Sequence, residues 1–145
     1  MNYNTIKKIK SNELYQHSCK LLEDHKKDDA LYYLKEAAYL GNPDALFQLG
    51  IGHYYGIVVE KDIKYAIKLL KEASKNNNYE AMYIIAEYYY NTNKRILSKP
   101  LFVKLSKLGD KRAKYYCYLN GWDNQIDLRK AAIYNIERKN NLNHF

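Results

Sequence analysis

The chain has 145 residues, of which 47% are hydrophobic and 28% charged, and its formal net charge is +8. This is the composition of an ordinary globular protein of about one domain, with enough apolar residues for a real core. The amino terminus, MNYNTIKKIK, lacks the apolar run of a signal peptide, and no apolar stretch is long enough to span a bilayer. We therefore expect a soluble, intracellular protein with no membrane association, located in the cytoplasm, or in the host cytoplasm if the chain is viral.

Apolar residues recur at spacings of three and four, and no segment alternates with a period of two, so the pattern predicts helices and no sheet. The third helix should be capped by Asn42, begin with Pro43 and end at Gly56. The fourth should be closed by the run of three asparagines at 76–78. The eight predicted helices cover about 11–25, 29–40, 43–55, 62–75, 80–91, 98–108, 110–121 and 125–139.

The chain repeats itself with a period typical of helix-pair solenoids. Ala45 and Ala81 are 36 positions apart, as are Ala37 and Ala73, and Ala113 follows Ala81 by 32. A single helix pair cannot bury its apolar stripe alone, so neighbouring pairs must stack. The predicted fold is an all-α, right-handed α-solenoid of about four antiparallel helix pairs in one domain. Its predicted parts are a partial repeat at 1–41, a complete one at 42–77, a shortened one at 78–109 and a degenerate capping repeat at 110–145.

Small residues at fixed places specify how the helices pack. At Ala45, Gly50, Ala66 and Ala73 a side chain no larger than a methyl group lets neighbouring helix axes approach closely. Leucines such as Leu49 should fill the space between the axes.

The segment ALFQLGIGHYYGIVVEKDIKYAIKLLKEASKNNN, from Ala45 to Asn78, resembles a Sel1-like repeat, a relative of the tetratricopeptide repeat. The chain departs from that pattern where Val58 replaces the second loop glycine. It departs again where Ile85-Ala86 and Cys117-Tyr118 replace Leu-Gly. The resemblance implies a non-catalytic scaffold or adaptor that binds a partner protein or peptide.

A second stripe of side chains lies beside the inward-packing one on the first helix of each pair. Phe47, Ile51 and Tyr54 are spaced i, i+4, i+7, and the same offsets recur from Ala81 and Ala113. In tetratricopeptide relatives this face lines a concave groove for partner peptides, and the resemblance implies the same location here. The alternative is that these rings are buried against one another. The predicted partner-binding residues are Phe47, Ile51, Tyr54, Tyr55, Tyr83, Glu87, Tyr90, Tyr115, Leu119 and Trp122, whereas Ala45, Leu49, Ile85 and Cys117 should be buried.

Residues for catalysis or metal binding do not form a recognisable pattern. His53 occupies a position where the family commonly carries an aromatic residue, so the resemblance implies a structural histidine. A hydrolase would need it joined to an acid or a thiol in one pocket. His17, Cys19 and His25 share one predicted helix, but their spacings do not gather three ligands on one face. Cys117 occupies a position where a small buried residue suffices. We therefore predict no enzyme activity, no cofactor and no metal.

The charge is unevenly distributed. Residues 1–93 carry twelve Lys or Arg and twelve Asp or Glu, whereas residues 94–145 carry twelve against four. An alternative function is therefore that the basic surface of the last third binds an acidic partner, including nucleic acid.

Overall fold

The structure is a computed structural model that describes residues 2–122 and 127–142. Within those ranges it consists of eight helices and contains no strand, so the predicted all-α class is confirmed. The helices form four antiparallel pairs. They are α1 (Tyr3–Glu23), α2 (Lys27–Tyr39), α3 (Pro43–Tyr55), α4 (Ile63–Lys75), α5 (Tyr79–Asn91), α6 (Arg95–Lys107), α7 (Lys111–Asn120) and α8 (Leu128–Leu142).

The chain divides into two compact units, unit 1 (Met1–Ala81) and unit 2 (Met82–Phe145). In unit 1, α1 packs on α2, α2 on α3 and α3 on α4. In unit 2, α6 packs on α7 and α7 on α8. Each unit therefore buries its apolar faces between consecutive helices of the chain.

The ends of α3 are set by local side chains, as predicted. The Asn42 side-chain oxygen accepts hydrogen bonds from the main-chain N–H groups of Asp44 (3.1 Å) and Ala45 (2.9 Å), and Pro43 occupies the first turn. Gly56 ends the helix in the left-handed conformation, with a φ of 73°. Asn42 is itself buried, and its amide donates to the Asn12 side-chain oxygen on α1 at 2.8 Å.

Other helix boundaries differ from the prediction. Helix α1 begins at Tyr3 instead of 11, because Asn2 caps it by accepting a hydrogen bond from the Thr5 N–H at 2.9 Å. The first two turns of α1 contribute no buried residue, so the pattern of core-facing apolar residues does not predict that they are helical. Helix α8 begins at Leu128 instead of 125, and the Asp127 carboxylate accepts from the Lys130 N–H at 3.0 Å.

The small residues allow the close helix approach that the sequence predicts. Ala45, Ala66 and Ala73 are completely buried. A Cβ atom placed on Gly50 would lie 2.9 Å from the Leu70 Cγ atom, and Leu70 is also completely buried. A side chain at Gly50 would therefore require the buried Leu70 side chain of α4 to shift.

The core of unit 2 is predominantly aromatic. Phe102 is completely buried and stacks on Tyr116 with ring centroids 4.1 Å apart. Ile85 and Cys117 are buried, as are Ala45 and Leu49 in unit 1, so these four burial predictions are confirmed. The cluster consists of Met82, Tyr83, Ala86, Phe102, Leu105, Ala113, Tyr116 and Cys117.

Replacing Val58 with Gly should stabilise the protein by about 0.5–1 kcal/mol. Val58 has a φ of +67°, where an L side chain costs about 1–2 kcal/mol and a glycine nothing, although glycine loses more entropy on folding. Urea unfolding measures the change. As the control, Ile57→Gly should lower the free energy of unfolding, because Ile57 is similarly exposed but its φ is not positive. Equal losses in both variants would show that the Val58 backbone is unstrained.

Candidate functional site

The α3 face, which we define as Phe47, Ile51, Tyr54 and Tyr55, lies at the surface of unit 1. Phe47, Ile51 and Tyr54 are half-buried, and Tyr55 is 58% exposed. The Tyr54 and Tyr55 rings meet edge to face, with centroids 5.0 Å apart. In unit 1 the two predicted stripes therefore differ in burial, because Ala45 and Leu49 of the same helix are in the core.

An apolar cleft of about 170 Å³ adjoins the α3 face. Its wall includes Ile51 of the face, Leu22 of α1, Leu31 of α2, and Ile57 and Val58 of the loop after α3. An apolar cavity of about 150 Å³ accepts a benzene ring, so this cleft has room for one apolar side chain of that size.

Two polar side chains in the wall of the cleft, Ser18 and Gln48, are bonded within the protein. The Ser18 hydroxyl donates to the Ala30 main-chain oxygen at 2.9 Å, and the Gln48 amide donates to the Tyr15 hydroxyl oxygen at 3.0 Å. Burial, with a smaller contribution from the neighbouring Cys19, raises the pKa of Tyr15 to about 12. The repeat spacing of α3 did not identify the α1 and α2 walls of this cleft, since those walls come from other helices.

Tyr83 is not at the surface, and the expectation that it would be partly exposed is wrong. It is 6% exposed and belongs to the core of unit 2. Its ring meets Phe102 edge to face with centroids 6.0 Å apart, and the Arg112 guanidinium lies over it at 4.1 Å. Aromatic side chains from α6 and α7 pack around Tyr83, and the repeat spacing of α5 alone contains no information about them.

Glu87 holds two tyrosine hydroxyls of this core. One carboxylate oxygen accepts hydrogen bonds from the hydroxyls of Tyr83 (3.1 Å) and Tyr116 (2.8 Å), and the side chain is half-buried. Hydrogen bonds to a carboxylate are stronger than those between neutral groups. In this structure Glu87 therefore links α5 to α7.

The remaining predicted residues of unit 2 lie at the margin of the aromatic core. Tyr90, Tyr115 and Trp122 are half-buried and pack against the cluster, and Leu119 is also half-buried. The Tyr90 hydroxyl hydrogen-bonds to the Asn120 side chain, and its ring meets Trp122 edge to face at 6.2 Å. These rings contribute to the core and also retain some exposed surface.

His53 has the geometry of a structural histidine. Its Nδ1 lies 2.8 Å from the main-chain oxygen of Glu60, and because a carbonyl oxygen only accepts, Nδ1 is the donor. The ring also meets Tyr65 edge to face at 5.0 Å. Among the residues that the structure describes, no carboxylate or thiol makes a hydrogen bond with this ring, and Cys117 is buried in the core of unit 2.

Histidines elsewhere in unit 1 also make packing contacts. His17 meets the Tyr33 ring edge to face with centroids 4.4 Å apart. The sequence predicted that His25 shares a helix with His17 and Cys19. In the structure His25 instead lies after the end of α1. In residues 2–122 and 127–142 no three His, Cys, Asp or Glu side chains are grouped as metal ligands. No helix in the described part of the chain is long and apolar enough to cross a membrane.

The family model of the Sel1 repeat matches three segments of the chain, residues 14–42, 43–78 and 105–134. A Sel1 repeat protein from Oxalobacter formigenes has a similar crystal structure. Its TM-score is 0.65 at 25% sequence identity, and the match covers 72% of this chain and 84% of that one. A search of curated protein sequences gave no match at the significance required.

A second similar structure is that of c5321, a protective antigen of uropathogenic Escherichia coli with an SLR fold. The TM-score is 0.66 at 21% identity, and the match covers 86% of this chain but only 29% of the antigen. The two similar structures confirm the predicted α-solenoid class. This chain spans less than a third of the length of the antigen. Because the three matched segments make up more than half of the sequence, the chain belongs to the Sel1 repeat family.

Proposed function

We propose that this protein is a non-catalytic scaffold that binds a segment of a partner protein through the α3 face. Sel1 repeat proteins are generally protein–protein interaction scaffolds. The observation that supports the α3 face is the pairing of exposed or half-buried aromatic rings with an adjacent apolar cleft. The proposed occupant of the cleft is one apolar side chain of the partner segment.

The chemistry of the α3 face suits peptide recognition. Tyrosine offers a large apolar ring and a hydroxyl, and it loses little conformational entropy when a complex forms. Tyr55 brings such a ring to the surface, and Ile51 connects the face to the cleft. The hydroxyl and amide groups in the wall are already hydrogen-bonded, so an apolar side chain can enter without leaving them unpaired.

In unit 2 the proposed contact surface is restricted to the side chains that keep exposed area. It consists of Tyr90, Tyr115, Leu119 and Trp122. Tyr83 and Glu87 act there as internal support and not as contact residues. We propose that the protein is not catalytic, because the His53 ring is bonded to the main-chain oxygen of Glu60.

Tyr55→Ala should weaken partner binding by about 1–3 kcal/mol, which is roughly 5- to 150-fold in affinity, with little effect on stability. The ring is 58% exposed, so its removal leaves no cavity. Tagged wild-type and variant chains are used to co-purify proteins, which are then quantified by mass spectrometry. Direct titration of each recovered partner gives the affinity.

The matched control is Tyr39→Ala, because Tyr39 is 84% exposed but lies on α2, outside the α3 face. A partner should be retained by the wild type and Tyr39→Ala and depleted by Tyr55→Ala. If every recovered protein binds the three chains equally, the α3 face is not the binding surface. Thermal unfolding of both variants excludes a loss of folded protein as the cause.

A further inference from the structure

Helix α6 lies in the longest part of the chain without acidic side chains. No Asp or Glu occurs between Glu87 and Asp110. None of the five cations in this interval forms an ion pair with a described residue, and Arg95 lies over the Tyr90 ring at 5.1 Å. The five cations are Lys94, Arg95, Lys99, Lys104 and Lys107.

The outward side of α6 also carries aliphatic side chains. The inward side is formed by Ser98, Phe102, Leu105 and Ser106, which are all buried. On the outward side Ile96 is 90% exposed and Pro100 is exposed, and Val103 at the flank is half-buried and also packs against the unit 2 cluster. Their spacing of i, i+4, i+7 places these three in one row along the helix.

Lysines border this aliphatic row. At 100° per residue, Lys99 lies on one side of the row and Lys104 on the other, and Lys107 extends the row by one turn. All three lysines are exposed. We define the α6 outer face as Ile96, Lys99, Pro100, Val103, Lys104 and Lys107.

We infer that the α6 outer face binds an acidic amphipathic helix of a partner protein. An aliphatic row at i, i+4, i+7 is the pattern by which one helix packs against another. Cations on both sides of the row favour a helix that carries Asp or Glu beside its own apolar row. This surface is separate from the α3 face and goes beyond the proposed function.

Charge and side-chain type favour this occupant over others. A second copy of the chain offers no net negative charge, because residues 1–93 are balanced and residues 94–145 are basic, so charge does not favour it. Single-stranded nucleic acid gains affinity from stacking on aromatic rings, whereas the uncharged members of the α6 outer face are aliphatic or proline. An interfacial membrane helix inserts a continuous apolar face, whereas exposed lysines interrupt the exposed apolar side chains of α6, which also include Leu97.

The test is a selection from a displayed library of helical peptides, roughly 14 residues or four turns long, against the full chain. Selected peptides are then titrated by fluorescence anisotropy into the wild type and Lys99→Glu/Lys104→Glu. The matched control is Lys64→Glu/Lys68→Glu, which reverses two exposed lysines on α4 and changes the net charge equally. Circular dichroism checks that all variants are folded.

The enriched peptides should be acidic and should carry apolar residues at i, i+4, i+7. Lys99→Glu/Lys104→Glu should bind them roughly tenfold or more weakly, and the control should match the wild type within about twofold. Ile96→Ser, which keeps every lysine, should also weaken binding, because the apolar row and not charge alone makes the contact.

Three results would overturn the inference. The first is a set of enriched peptides without acidic residues or helical spacing. The second is that the two charge reversals weaken binding equally. The third is that single-stranded RNA or phosphatidylserine vesicles bind the wild type and lose binding in Lys99→Glu/Lys104→Glu, while acidic peptides do not bind. None of these results affects the α3 face, since Tyr55→Ala is assessed on a different helix with different partners.

Discussion

Phe102→Ala should lower the free energy of unfolding by about 3–5 kcal/mol, the range found when a buried aromatic side chain is truncated. Phe102 is completely buried at the centre of the unit 2 cluster. Its ring stacks on Tyr116 at 4.1 Å and on Trp122 at 6.1 Å. The alanine would leave a cavity between α6 and α7, and the loss is measured by urea unfolding monitored through tryptophan fluorescence.

Phe102→Leu is the informative control. It keeps most of the apolar volume and removes the ring contacts, so it should cost markedly less than Phe102→Ala. A leucine variant as unstable as the alanine variant would assign the stabilisation to ring geometry. An alanine variant with a loss below about 1 kcal/mol would contradict the burial of Phe102, because exposed substitutions have effects of this small size.

Tyr83→Ala should lower the free energy of unfolding by about 3 kcal/mol or more, and the affinity of the folded protein for partners should not change. The substitution removes a buried ring, its contact with the Arg112 guanidinium and its hydrogen bond to Glu87. Chemical unfolding gives the stability, and titration of partners well below the unfolding midpoint gives the affinity.

Tyr83→Phe separates the hydroxyl from the ring. It removes the bond to Glu87 and keeps the ring. The Glu87 oxygen still accepts from the Tyr116 hydroxyl at 2.8 Å, so the cost should be about 1 kcal/mol. The opposite pattern, in which Tyr83→Ala weakens partner binding but leaves stability unchanged, would restore Tyr83 to the contact surface. Comparing the stability and the partner affinity of Tyr83→Ala with those of Tyr55→Ala then distinguishes a core tyrosine on α5 from a surface tyrosine on α3.

Features that depend on neighbouring residues in the sequence were predictable. Asn42 and Pro43 start α3 and Gly56 ends it, because capping and left-handed geometry are determined within a few residues. Ala45 and Cys117 are buried as expected, since the repeat period identifies the side of each helix that faces its neighbours.

Features that depend on long-range packing were not predictable. Tyr54 and Tyr90 occupy equivalent repeat positions, yet Tyr90 packs against Phe102 of α6 and Tyr116 of α7. Glu87 has the same repeat position as Ile51, but its oxygen accepts from tyrosines that are 4 and 29 positions away. The repeat period predicts which side of a helix faces its neighbours. It does not predict which residue of a neighbouring helix contacts a given side chain.

The buried amide of Asn42 has a consequence for how unit 1 loses its structure. Its oxygen caps α3, while its nitrogen donates to Asn12 of α1 at 2.8 Å. If α1 detached, this buried donor would lose its partner at the start of the next repeat, so fraying of the first pair is penalised by the second. The first two repeats are thus coupled through one side chain, and the stability of either repeat alone does not contain this contribution.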